Sequence, residues 1–192
     1  MPKKIDMEVI SQSSMTTTSK RNDPVYGSDV IVDLLRAAGI EYAAFNPGAT
    51  FRGIHDSIVN HGGNRMPEAI TCTHEEISVA MAHGYAKAAG RPMAALLHNI
   101  VGLQHASMAI FNAWCDRVPV LLLGGTGAMD SSKRRPWIEW IHTALVQGNQ
   151  IRDYVKWDDQ PYSLAAAPES LLRAFRVATT EPTGPVYVCF DS

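Results

Sequence analysis

The sequence predicts an α/β domain with an open, mostly parallel sheet and helices on both faces. Short apolar runs alternate along the chain with segments whose apolar residues recur at helical spacing, the pattern of consecutive strand–helix–strand units. One run, Val118–Leu123, is so continuously apolar that both of its faces must be covered, as in the middle of a parallel sheet. With 192 residues and 46% hydrophobic content, the chain can bury one substantial core.

Residues 1–24 are rich in Ser, Thr and Lys and poor in large apolar groups. Ordering them would cost backbone entropy with little burial in return, so they are expected to form a disordered tail before one domain over 25–192. Val30, Ile31, Leu34, Leu35 and Ala38 then mark a helix of about three turns, with Ser28 as its expected cap and Gly39 as its end. Tyr42–Phe45 is the first expected strand, followed by a helix through Ile54 and Ile58, a strand over Ala69–Thr73 and a helix over Glu76–Ala89. Met93–Leu97 reads as a strand, Leu103–Trp114 as a helix and Val118–Leu123 as a strand. A short strand over Val155–Trp157, a helix over Pro168–Thr179 with its proline in the first turn, and a last strand over Pro185–Phe190 complete the series.

The alternation breaks between Gly124 and Tyr154, a stretch long enough to suggest a functional or flexible loop. It contains Lys133-Arg134-Arg135, which could bind phosphate, although a charge run is more often a solvated face. Trp137, Ile138, Trp140 and Ile141 have the spacing of a short amphipathic segment that packs on another surface.

The 17 basic and 19 acidic residues nearly cancel, so no strong field favours a nucleic-acid backbone or an anionic membrane, and neither partner is expected. Cys72, Cys115 and Cys189 are far apart and lack metal-ligand spacing, which predicts buried thiols in a cytoplasmic protein. No run has the length of a membrane span or the pattern of a signal peptide.

Ligands of open parallel sheets sit at the carboxyl ends of the strands. That rule directs attention to Asn46-Pro47-Gly48-Ala49-Thr50, Thr73-His74-Glu75-Glu76, His98-Asn99-Ile100-Val101-Gly102 and Gly124-Gly125-Thr126-Gly127. On local grounds, Glu75 and Glu76 could simply favour the positive end of a helix, and His98 could be a histidine satisfied at a strand end.

From Tyr26 to Asp191 the order of these elements resembles the N-terminal, pyrimidine-binding domain of thiamine diphosphate-dependent 2-oxoacid decarboxylases and carboligases. The resemblance is carried by Phe45-Asn46-Pro47-Gly48, by His74-Glu75 followed by Ala82-His83-Gly84-Tyr85-Ala86, by Asn112-Ala113-Trp114 leading into Arg117-Val118-Pro119-Val120, and by Thr183-Gly184-Pro185-Val186. The stretch Asn112–Gly127 is most similar to benzoylformate decarboxylase and benzaldehyde lyase, whereas His74-Glu75 is the form found in acetolactate synthases.

The resemblance implies that Glu75 shares a proton with the ring nitrogen of the aminopyrimidine and so promotes loss of the thiazolium C2 proton. It implies a catalytic role for His98, an imidazole able to change protonation near neutral pH. Asn46, Pro47, Gly48, Gly102 and His105 fall at cofactor-binding positions, His105 being equally readable as a surface helix residue. A small 2-oxoacid is the implied substrate. Mg²⁺ is expected to be held by a domain that this chain does not contain, and FAD is compatible with the family without a feature here that demands it.

Three departures stand against a full match. Ala49 replaces a serine found in benzoylformate decarboxylases; Ile100-Val101-Gly102-Leu103-Gln104-His105 replaces Gly-Pro-Gly-Ala-Thr-Asn; and the Gly-Asp-Gly pattern with a downstream Asn, which holds metal and diphosphate, is missing. The expected assembly is therefore a homo-oligomer or a complex with a separate diphosphate-binding subunit. A noncatalytic assembly or regulatory module that keeps the fold is the alternative.

Overall fold

The computed structural model of the chain describes residues 23–191. The expected tail therefore lies outside the described residues, apart from Asp23 and Pro24. Helix α1, Gly27–Ala37, begins through Asp29 rather than Ser28. Asp29 lies two residues into the helix and reaches back to accept from the backbone N–H groups of Val25 at 2.9 Å and Tyr26 at 3.0 Å. Ser28 instead accepts a hydrogen bond from the Ser57 hydroxyl at 2.8 Å, which joins α1 to helix α2, Arg52–Asn60. Gly39 ends α1 as expected, with φ of +76°.

Strand β1, Tyr42–Phe45, has the expected bounds, and β2 spans Glu68–Thr71. Helix α3, Glu75–Ala89, leads to β3, Met93–Leu97. Helix α4 covers Asn99–Cys115 and starts before the expected Leu103. Asn99 takes the tight turn itself at a φ of +45°, and its Oδ1 accepts from the Ile100 N–H at 3.0 Å, so the helix can begin directly after the strand.

Strand β4, Val120–Thr126, also departs from expectation, because Gly124, Gly125 and Thr126 continue the strand past its expected end at Leu123. Their partners are Cys189, Phe190 and Asp191 of β6, Val186–Asp191. The glycines are there for space: a Cβ on Gly124 would lie 2.1 Å from the Tyr187 hydroxyl, and one on Gly125 would lie 2.5 Å from the Thr50 carbonyl oxygen.

The long segment carries a four-residue helix, α5, Ile138–Ile141. It is tied back by buried Gln147, whose amide donates to the Gly125 carbonyl at 3.0 Å. The short strand expected over Val155–Trp157 falls instead at β5, Asp158–Asp159, where Tyr187 donates its N–H to the Trp157 carbonyl at 3.0 Å. Helix α6, Ala167–Thr179, precedes β6.

The strands form one six-stranded sheet in the order β2-β1-β3-β4-β6-β5, and every pairing is parallel. Side chains alternate between two cores. Ala44, Leu97, Leu122 and Tyr187 pack with α3 and α4, while Phe45, Leu96, Leu123 and Val188 pack with α1, α2 and α6. Right-handed crossovers require opposite faces for opposite directions of travel along the sheet. Accordingly, α2 carries the chain outward from β1 on one face, whereas α4 carries it from β3 to β4 on the other. The chain thus diverges at the carboxyl ends of β1 and β3, which opens the crevice where such sheets bind ligands.

Cys72 and Cys189 are buried, but Cys115, the last residue of α4, is exposed, contrary to expectation. Among the described residues no helix is long and apolar enough to cross a membrane.

Candidate functional site

Three elements converge on the crevice between β1 and β3. Asn46 continues from the end of β1, Glu75 opens α3 after β2, and His98 lies between β3 and α4. Glu75 is 4% exposed. Its Oε1 accepts from the Asn46 amide at 3.2 Å, while its Oε2 is buried without a hydrogen-bond partner. Gly102 supplies the room for this carboxylate. A Cβ there would sit 3.1 Å from the Glu75 Cγ and 3.2 Å from its Oε1.

His105, one turn along α4 from Gly102, places its Nδ1 3.4 Å from Glu75 Oε2 while its side chain stays 57% exposed on the helix surface. Its ring stacks on His74 with centroids 4.8 Å apart and planes 12° from parallel. His74 is the N-cap of α3 and accepts from the Glu76 N–H at 3.2 Å. Glu76 is exposed in the first turn of the helix.

His98 packs against the turn after β1. A Cβ on Gly48 would come within 2.5 Å of the His98 Cβ and 2.6 Å of its Cγ, so only glycine fits there. The ring's Nδ1 lies 3.1 Å from the Thr50 hydroxyl. Burial, and next the nearby His142, push the His98 pKa below its ordinary value, with Glu75 opposing the shift. Pro47 shapes the same turn and is exposed, as is Ala49. The structure therefore gathers Asn46, Glu75, Gly102 and His105 in one group, and Gly48 and His98 in an adjacent one.

His142 was not legible as a site residue. Its ring centroid lies 5.6 Å from that of His98, and its Nδ1 bonds the Ile138 carbonyl, an arrangement created by α5 folding back over the strand ends. Beside it, the Thr143 hydroxyl accepts from the Asn99 amide at 3.4 Å. The only sequence signal was the length of the segment. The basic cluster within it is partly used internally. Arg134 donates to the Ala128 carbonyl at 2.6 Å and stacks over Trp140, while Arg135 pairs with buried Glu139 at 2.7 Å. Trp137, Trp140, Ile141 and Leu145 remain exposed.

A sequence-family profile described as "Thiamine pyrophosphate enzyme, N-terminal TPP binding domain" matches residues 25–150. The acetolactate synthase large subunit of Haemophilus influenzae is 30% identical over 162 residues, an alignment that covers 84% of this chain and 27% of that protein. Benzoylformate decarboxylase of Pseudomonas aeruginosa is 28% identical over 138 residues, covering 67% of this chain and 25% of that one. This chain thus spans about a quarter of the length of these relatives. A solved structure from Mycobacterium smegmatis, described as a thiamin diphosphate-dependent enzyme, superimposes with a TM-score of 0.76 at 24% identity and covers 88% of this chain and 31% of its own. Benzoylformate decarboxylase of Polynucleobacter necessarius superimposes with a TM-score of 0.73 at 22% identity, covering 85% and 29%. At these identities the structural likeness speaks for the fold.

Proposed function

Because the chain belongs to the thiamine pyrophosphate enzymes, as their N-terminal TPP binding domain, we propose that it is the pyrimidine-binding half of an acetolactate synthase-like 2-oxoacid decarboxylase or carboligase. The observation that carries the reading is Glu75 Oε2, a carboxylate oxygen buried without a hydrogen-bond partner. Burying such an oxygen unpaired is costly, and a ring nitrogen sharing a proton with it would remove the cost. The cradle at Gly102, where an added Cβ would press on Glu75 at 3.1 Å, fits the same role. Thiamine diphosphate, when bound, supplies an electron sink for the carbanion left by bond cleavage.

The chain's own residues do the rest. Asn46 orients Glu75 through Oε1, leaving Oε2 to hold the proton. Gly48 leaves room for His98 beside the turn after β1, and His105 borders Glu75 from α4. His98, with Nδ1 beside Thr50, is the group that would move a proton at the reacting 2-oxoacid, and its lowered pKa favours the neutral, proton-accepting ring.

Mg²⁺ and the diphosphate are assigned to a complementary domain, contributed by a homo-oligomer partner or a separate subunit of a cytoplasmic assembly. FAD is left as an optional companion of the family.

The test is Glu75→Gln in enzyme reconstituted with its diphosphate-binding portion, read by hydrogen–deuterium exchange at cofactor C2. The amide keeps the shape but cannot share the proton, so exchange should fall on the order of 10²-fold or more with circular dichroism unchanged. An unaltered exchange rate in a folded variant removes Glu75 from the role and favours a noncatalytic assembly module.

A further inference from the structure

Glu75 also has neighbours of a different chemistry. We propose that His74, Glu75 and His105 form a three-ligand site for a transition-metal ion of the zinc class, with water as its fourth ligand. One ligand atom of each residue lies within 4.8 Å of the others. The 3.4 Å between His105 Nδ1 and Glu75 Oε2 is roughly the separation of two tetrahedral ligands each about 2.1 Å from one ion. Independently, Oε2 is a buried oxygen with an unused lone pair, on a side chain 5% exposed. Two imidazoles and one carboxylate select Zn²⁺, Co²⁺ or Ni²⁺ over the oxygen-seeking Mg²⁺ and Ca²⁺.

The rearrangement needed is local. Stacked rings cannot both point a nitrogen at one ion, so His105 keeps its Nδ1 beside Glu75 Oε2 and the His74 ring is the one that turns out of the stack. His74 exchanges its cap on the Glu76 N–H for the metal. The first-turn carboxylates Glu75 and Glu76 offset the positive helix end that would otherwise repel a cation. The ion would tie the start of α3 to the second turn of α4. It would also occupy the carboxylate oxygen offered to the aminopyrimidine, so metal and cofactor exclude each other. That last consequence rests on the function proposed above.

The experiment titrates the 192-residue chain, carrying Cys115→Ser to remove the exposed thiol, with Zn²⁺ by calorimetry and with Co²⁺ by visible absorption. One ion per chain and tetrahedral Co²⁺ bands are expected. Affinity should fall on the order of tenfold or more in His105→Asn and in His74→Asn and stay unchanged in His83→Asn, which tests the separate His83–Asp116 pair. Absence of stoichiometric binding, or binding indifferent to His105→Asn, overturns the site. Excess thiamine diphosphate should displace the zinc from the reconstituted enzyme. Zinc retained at saturating cofactor overturns the exclusion, whereas a chain that takes zinc normally but no cofactor counts against the cofactor reading alone.

Discussion

At the scale of single residues, His98 joins the fold's stability to the proposed chemistry. Burial holds its folded pKa below the ordinary 6.5, so the unfolded chain binds the proton more readily. The stability contributed by the neutral ring is complete above that ordinary value and is lost as pH falls through the depressed one. The urea midpoint should therefore drop more between about pH 7.5 and 5.5 in the natural chain than in His98→Asn. An equal drop would place the pH sensitivity elsewhere. In the reconstituted enzyme, His98→Ala should slow the single-turnover rate more than it weakens cofactor binding. Matched losses in both would mean that the ring only fills space against Gly48. Glu75 and His98 were legible as candidates because each lies after an expected strand, and only the family resemblance gave them roles. His142 was not, since its approach depends on α5 folding over the strand ends, a contact with no local periodicity.

At the scale of elements, the junction of β4 and β6 makes a sharp prediction. Tyr187 is fully buried against Gly124, and an added Cβ there would meet its hydroxyl at 2.1 Å and its ring carbons at 2.7 Å. Gly124→Ala should cost about 1–3 kcal/mol through overpacking, measured from the urea midpoint. Tyr187→Phe should restore only part of it, because the ring carbons remain; full restoration would assign the clash to the hydroxyl alone. The same junction marks where sequence reasoning stopped. Consecutive glycines read as the end of a strand because glycine usually supplies backbone freedom, yet here they make way for a tyrosine and a carbonyl from distant segments. Strands β1 and β3 were legible to the residue because both faces are apolar and their ends are abrupt. Helix α4 was misplaced at its start because Asn99 makes the turn without a glycine, and β5 was placed a few residues early because two aspartates carry no strand pattern.

At the scale of the whole molecule, the exposed apolar residues Ile77 and Met81 of α3 and Val101, Met108 and Phe111 of α4 are more than an isolated domain hides easily. The purified chain should self-associate or recruit a partner, visible as concentration-dependent sedimentation. It should bind thiamine diphosphate weakly even with Mg²⁺, and turn over no 2-oxoacid alone. Tight metal-dependent cofactor binding by calorimetry, or turnover, would mean that a diphosphate site lies within these residues. The strand order has a further consequence for how the domain is made. Among the described strands β6 is the last in sequence but lies between β4 and β5 in the sheet, so synthesis delivers it after both of its neighbours. Until residue 191 clears the ribosomal exit tunnel, a nascent chain carries the apolar strand Val120–Thr126 with one edge unpaired, the kind of edge that invites aggregation. The domain should therefore close only once β6 has emerged, and chaperones should hold ribosome-bound chains in which Val186 is still inside the tunnel far longer than those in which Asp191 has left it.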